Sequence, residues 1–90
     1  MRRIAMTVTG RVQGVGFRYF TQELAASLGV TGWVRNGWHR DVEVEAQAES
    51  LTLAQFQDRL REGPTLARVT DIQAHDLQVV EGEGEFTVRY

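Results

Sequence analysis

The segment from Gly10 to Arg18, with the sequence GRVQGVGFR, constrains the fold of this chain most strongly. Its glycines fall at positions 10, 14 and 16, between an alternating apolar pattern that predicts a strand and an apolar spacing that predicts a helix. Glycine adopts positive φ at little cost and lets a ligand approach the backbone closely. The segment therefore predicts a strand-to-helix turn whose peptide N–H groups lie at the start of a helix.

Such a turn can bind an anion. A run of N–H groups at a helix N-terminus forms a concave site that the helix dipole makes favourable for negative charge. The candidate phosphate-binding residues are Gly14, Val15, Gly16, Phe17 and Arg18, and the planar fork of Arg18 matches phosphate oxygens. The spacing fits neither the dinucleotide nor the Walker pattern, so a plain turn with a solvent-facing arginine is an equally good interpretation at this point.

Composition limits the chemistry. The chain has no cysteine, which excludes disulfides and thiolate catalysis, and its two histidines, His39 and His75, do not have a metal-ligand spacing. We therefore expect no metal site and no histidine-based triad. The net charge of −2 argues against a nucleic-acid surface, so anion binding must be local.

Length and hydropathy predict one domain spanning residues 1–90, since 42% of the residues are hydrophobic and 24% are charged. No apolar run is long enough to span a membrane. The first residues, Met1 to Arg3, are not followed by the apolar run of a signal peptide. We expect a cytoplasmic monomer.

Five strands are predicted. Alternation is clear in residues 3–9, 42–48 and 85–90, shorter in residues 30–35, and irregular in residues 68–77. In that last stretch the period slips between Val69 and Ile72, which predicts a bulge or bend. The alternation of residues 42–48 places Glu43, Glu45 and Gln47 on the face away from the helices, towards solvent.

Two helices are predicted between these strands. The first follows the glycine turn to Leu28, with Gly29 at the C-terminal cap position. The second is predicted to begin at the capping box Thr52-x-x-Gln55, with Leu51 and Phe56 as a hydrophobic staple, and to end at Gly63-Pro64.

The order strand, helix, strand, strand, helix, strand, strand predicts an α+β fold. It is the ferredoxin-like split βαβ sandwich, βαββαβ with an additional C-terminal strand, in which two helices cover one sheet face and leave the other largely open. The first two strands then run parallel with the third between them, so the glycine turn and Asn36 lie at the same sheet edge. Asn36-Gly37 could instead form a two-residue hairpin turn; a longer loop to Asp41 is equally compatible with the sequence.

Residues Gly10–Arg18 resemble the first signature of the acylphosphatase family, and Gly32–Asn36 (GWVRN) is similar to its second. The resemblance implies metal-free and cofactor-free hydrolysis of the carboxyl–phosphate bond of small acylphosphates to a carboxylate and inorganic phosphate. It also implies that Arg18 binds the phosphoryl group and that Asn36 orients the attacking water. Arg40 and Ala48 stand where the family usually has glycine.

Two other functions share this topology. An RNA-binding module needs a basic sheet face with aromatic side chains, whereas Glu43, Glu45 and Gln47 are predicted there. A non-catalytic phosphate-binding regulatory module would retain the turn but not release phosphate. We expect inorganic phosphate to be both product and competitive inhibitor.

Overall fold

The computed structural model describes all 90 residues, which form a five-stranded sheet and two helices. The strands are β1 (Arg2–Arg11), β2 (Thr31–Asn36), β3 (Val42–Ala48), β4 (Arg68–Leu77) and β5 (Phe86–Val88), and the helices are α1 (Phe17–Leu28) and α2 (Ser50–Glu62). The sheet order is β4-β1-β3-β2-β5. Only β2 and β5 pair in parallel, and the other neighbours are antiparallel. The ferredoxin-like expectation is confirmed.

One apolar core lies between the sheet and the helices. The alternation of β1 and β3 supplies its sheet side, and the 3–4-residue spacing of α1 and α2 supplies the facing side. Phe56 is fully buried and contacts Phe86 edge-to-face, with ring centroids 6.0 Å apart, so the core also holds the short strand β5. Buried members of this core include Ile4, Met6, Val8, Val12, Phe17, Leu24, Val34, Val42, Val44, Leu53, Phe56 and Leu60.

The bulge predicted in β4 is present. Thr9 pairs with Asp71 while Gly10 pairs with Val69, so Thr70 is the extra residue. Gly10 has φ 125°, and a Cβ there would lie 2.1 Å from the carbonyl oxygen of Arg68. Only glycine fits this close approach, and β1 stays paired with β4 through Arg11, directly before the turn.

The predicted start of α2 is wrong. The helix begins at Ser50 after Glu49, whose side chain makes no capping hydrogen bond, and Leu53 N–H bonds to Glu49 O at 3.0 Å. Thr52 therefore lies inside the helix and is not its N-cap. Leu51 is 74% exposed and cannot act as a staple. The helix follows β3 almost directly, because Ala48 already ends that strand in the core.

The sheet face away from the helices is not as open as expected. Since β4 and β5 lie at opposite sheet edges, the connecting segment 78–85 has to cross this face. The amide of Gln47 donates to Val80 O at 2.9 Å and accepts from Val80 N–H at 2.8 Å, which leaves Gln47 only 7% exposed. The expectation of a solvated Gln47 is therefore wrong.

An ion pair is buried under the same segment. Arg3, 3% exposed, donates to Glu45 at 3.0 Å and to Glu83 at 2.8 Å. Burial alone lowers the pKa of Arg3, but the hydrogen bonds and charges of Glu83 and Glu45 outweigh it and raise that pKa. Burial alone would raise the pKa of Glu83; hydrogen bonds from Arg3 and Thr31 and the charges of Arg3 and Arg89 lower it instead.

The last strand is shorter than predicted. Alternation covers residues 85–90, whereas β5 comprises only Phe86–Val88. Arg89 N–H still bonds to Val34 O at 2.8 Å, so the chain continues beside β2. Neither helix has the length and apolar character needed to cross a membrane.

Candidate active site

A cleft of about 530 Å³ lies at the sheet edge where β1 and β2 end. Four of the five predicted phosphate-binding residues line it, together with Asn36 on its other side. Val15 does not line it; its half-buried side chain packs against the core. The fold therefore brings both predicted catalytic side chains to one cleft. Its full lining comprises Val12, Gly14, Gly16, Phe17, Arg18, Tyr19, Gln22, Asn36, Thr87, Val88 and Tyr90.

Gly14 and Gly16 are needed for their backbone conformation, and not because a side chain would clash. Gly14 has φ 73° and Gly16 has φ 79°, both in the left-handed region. A Cβ built on either would meet no atom within 4 Å. The backbone here borders open space, where a ligand can approach the peptide groups.

The N-terminus of α1 offers unpaired donors to this space. Gly16 is the N-cap, no side chain caps the helix, and the first turn contains no acidic residue. The first helical hydrogen bond runs from Phe20 N–H to Gly16 O at 3.0 Å. The N–H groups of the preceding first turn, residues 17–19, therefore have no partner within the helix and can receive an anion.

Arg18 contacts the last two residues of the chain. Its Nη1 donates to Arg89 O at 3.3 Å, and its guanidinium lies 4.6 Å from the centre of the Tyr90 ring. It forms no ion pair with a carboxylate, so its positive charge is not neutralised by the protein. Most of its five donors stay free for a ligand in the cleft.

Asn36 is the last residue of β2 and pairs in register with Val42. The connection between them contains five residues, closed by a hydrogen bond from Gly37 N–H to Asp41 O at 2.9 Å. Asn36-Gly37 is thus not a two-residue hairpin turn, and the longer loop is present. Within it Arg40 has φ 63°, and it is the only residue other than glycine with positive φ.

Gln13 joins the two segments of the site. Its Nε2 donates to Gly37 O at 3.1 Å and to Asp41 O at 2.8 Å. The side-chain amide thereby holds the glycine turn against the loop that follows Asn36. Sequence reasoning missed this residue, although it lies inside the segment that was singled out. The available signal was an amide side chain, able to donate and accept hydrogen bonds, directly before Gly14 in the turn.

Positive charge is concentrated at this edge. Of the ten basic residues, all arginine, five lie near strand ends or in the loop after Asn36, at the end of the sheet where β1 and β2 end, and a sixth, Arg18, lies in the first turn of α1. Only Arg35 among them is paired, with Glu43 at 2.7 Å. The net charge of −2 gives no sign of this local excess of arginine. The six are Arg11, Arg18, Arg35, Arg40, Arg68 and Arg89.

No group of three or more histidine, aspartate or glutamate side chains that could hold a metal ion occurs in the structure. The polar groups at the phosphate-binding end of the cleft are the backbone N–H groups at the start of α1, the guanidinium of Arg18 and the amide of Asn36. These groups bind an anion, stabilise charge on its oxygens and hydrogen-bond to water.

Comparison with known proteins gives consistent results. A sequence model of the acylphosphatase family matches residues 4–88. An acylphosphatase of Clostridium beijerinckii is 41% identical over 90 residues, covering the full length of both chains. The crystal structure of acylphosphatase from Bacillus subtilis superposes with a TM-score of 0.95 at 37% identity, covering 100% of both chains. An acylphosphatase structure from Coxiella burnetii gives 0.90 at 40% identity, covering 98% of this chain and 92% of that one.

Proposed function

This chain belongs to the acylphosphatase family and hydrolyses acylphosphates, and we propose that Arg18 and Asn36 are its catalytic residues. The observation that carries the proposal is their convergence. The unpaired N-terminus of α1, the unneutralised Arg18 and the amide of Asn36 line one cleft, although Arg18 and Asn36 are 18 positions apart in the chain.

Arg18 and the backbone N–H groups of residues 14–18 bind the phosphoryl group. Its oxygens accept hydrogen bonds from the first-turn N–H groups of α1, which have no partner within the helix. The guanidinium of Arg18, which donates one hydrogen bond to Arg89 O, can engage two further oxygens at once through its planar fork. These donors are fixed before the substrate arrives, so they stabilise the charge that redistributes over the phosphoryl oxygens during the reaction. In this role they act on the transition state and not only on the bound substrate.

Asn36 orients the attacking water through its amide, which provides both an acceptor and donors. The water oxygen bonds to phosphorus while the bond from phosphorus to the carboxyl oxygen breaks. The carboxylate leaves with the electron pair of that bond, and the water proton passes to an oxygen of the phosphate or of the leaving carboxylate. A carboxylate is a good leaving group, so positioning and electrostatics suffice and no strong protein base is required.

The test compares turnover with phosphate affinity in folded variants, using acetyl phosphate as substrate and inorganic phosphate as inhibitor. Arg18→Ala and Arg18→Lys should weaken phosphate binding, and Arg18→Ala should lower kcat by about 10²–10³-fold. Asn36→Ala should lower kcat to a similar degree while the phosphate Ki stays within a factor of about two. Leu51→Ala, an exposed change on α2, is the matched control.

Three results would contradict the assignment. Near-normal turnover in Asn36→Ala would mean that another group positions the water. Non-competitive inhibition by phosphate would place its site outside the cleft. Saturable phosphate binding without turnover in the unmodified chain would indicate a regulatory binding module instead of an enzyme.

We further propose that residues 1–90 act as one monomeric domain without metal, cofactor or nucleic acid. In support of a single domain, one apolar core packs the sheet against both helices. Light scattering during turnover, and activity measured with and without a chelator, would test this. A cytoplasmic location is also proposed, and cell fractionation would test it.

A further inference from the structure

The cleft is larger than the phosphoryl group alone requires. Its volume of about 530 Å³ lies within the range of sites that enclose whole small molecules. The phosphate-binding part occupies the N-terminus of α1, and the lining continues to Gln22, one helical turn beyond Arg18. The remaining space therefore extends along α1 and towards the residues of β5 and the chain that follows it.

Uncharged side chains line this outer part of the cleft. Beyond Arg18 its walls are Tyr19, Gln22, Thr87, Val88 and Tyr90. An acyl group that carries its own charge would find no oppositely charged partner among them. A neutral acyl group can contact the apolar and aromatic surface without leaving a polar group unpaired.

Tyr19 is the lining side chain best placed to stack on such an acyl group, because its ring is exposed and unpaired. It is 65% exposed and does not take part in either aromatic pair of the structure, which join Phe17 to Phe20 and Phe56 to Phe86. Tyr90, in contrast, already contacts the guanidinium of Arg18. Large aromatic side chains that are left exposed beside a cleft provide a stacking surface with little conformational entropy to lose.

We propose that Tyr19 is a specificity-determining residue that selects aromatic acyl groups, stacking on the acyl moiety while the phosphoryl group occupies the N-terminus of α1. The inference rests on the phosphoryl position given under the proposed function. Tyr19 acts on the part of the substrate that does not react, so its contribution appears as a difference between substrates.

The experiment measures kcat/KM for benzoyl phosphate and for acetyl phosphate in the unmodified chain and in the variants Tyr19→Ala and Tyr19→Phe. Aromatic contacts of this kind correspond to roughly a 2- to 13-fold effect. Tyr19→Ala should lower the ratio of benzoyl to acetyl kcat/KM by about that factor. Tyr19→Phe should keep the ratio, because it retains the ring. Thermal unfolding confirms that both variants are folded.

Trp38→Ala provides a matched control, because Trp38 is an exposed aromatic residue close to Asn36 in the chain that does not line the cleft. Its substrate ratio should stay unchanged. An unaltered ratio in Tyr19→Ala, or a ratio that falls only in Trp38→Ala, would overturn the proposal. So would a preference of the unmodified chain for succinyl phosphate over benzoyl phosphate.

The outcome is separable from the test of Arg18 and Asn36. If those residues are not catalytic, acetyl phosphate turnover survives their replacement, and this is measured without reference to Tyr19. If Tyr19 does not select the acyl group, the substrate ratio stays constant while the Arg18 and Asn36 variants still lose activity.

Discussion

Replacing Arg40 with glycine should stabilise the protein, although it removes a charged side chain from the edge of the active site. Arg40 has φ 63° in the loop after Asn36, in the left-handed region that favours glycine. A left-handed backbone costs a residue with a Cβ about 1–2 kcal/mol. Glycine also lowers the folding stability by about 0.4–1 kcal/mol, because it increases the conformational entropy of the unfolded chain. The difference between the midpoints of these two ranges is a gain in stability of about 0.8 kcal/mol.

For a domain of this size, a gain of about 0.8 kcal/mol corresponds to a rise in Tm of about 3–6 °C. Urea unfolding followed by tryptophan fluorescence measures the free energy, since Trp33 is buried between the guanidinium groups of Arg35 and Arg89. Arg40→Ala is the control: it removes the same charge but keeps a Cβ in the left-handed region. If Arg40→Gly is no more stable than Arg40→Ala, backbone strain at this position does not limit stability and the reasoning fails.

Three further predictions concern the site and the covered sheet face. Gln13→Ala should lower kcat by about 10- to 100-fold with less effect on the phosphate Ki, because the loop after Asn36 loses its two hydrogen bonds to the glycine turn; equal losses in kcat and Ki would contradict this. The lowered pKa of Glu83 means that its charge stabilises the fold above its ordinary value of 4.5 and that this contribution is lost as the pH falls through the lowered pKa. Acid unfolding of Glu83→Gln should therefore depend less steeply on pH in that window, and an unchanged slope would count against the buried pair. Raising the ionic strength from about 0.01 to 0.1 M should lower kcat/KM, because the Debye length falls from about 30 to 10 Å. Arg68 pairs in register with Arg11 at the end of β1, so Arg68→Gln should weaken this salt dependence more than Arg59→Gln on α2; equal effects would refute steering by the arginines near the end of β1.

The sequence predicted those features of the fold that depend on local periodicity. The alternation of residues 42–48 and the slip between Val69 and Ile72 both report which side of a strand is buried, and the structure confirms the strand and the bulge. The capping box at Thr52 failed because a helix start also depends on where the preceding strand must end. Ala48 is fixed in the core, so α2 begins at once.

What the sequence left unpredicted depends on contacts between distant segments. The pairing of β5 with β2 sends residues 78–85 across the sheet, and only this crossing explains why Gln47 and Arg3 are buried. No local sequence pattern predicts this burial, since each residue occupies a polar position of a strand in which polar and apolar residues alternate. Gln13 was missed for the same reason, because its two acceptors lie 24 and 28 positions away.

The same long-range pairing explains why the active site needs the end of the chain. The glycine turn and Asn36 are positioned by β1, α1 and β2, whereas the guanidinium of Arg18 contacts Arg89 O and the Tyr90 ring. Those residues follow β5, a strand of three residues held by parallel pairing with β2 and by the contact of Phe86 with Phe56. A short edge strand is the part of a sheet most readily lost by local opening. Orientation of the proposed phosphate-binding arginine is therefore linked to the packing of a core phenylalanine on the far side of the strand.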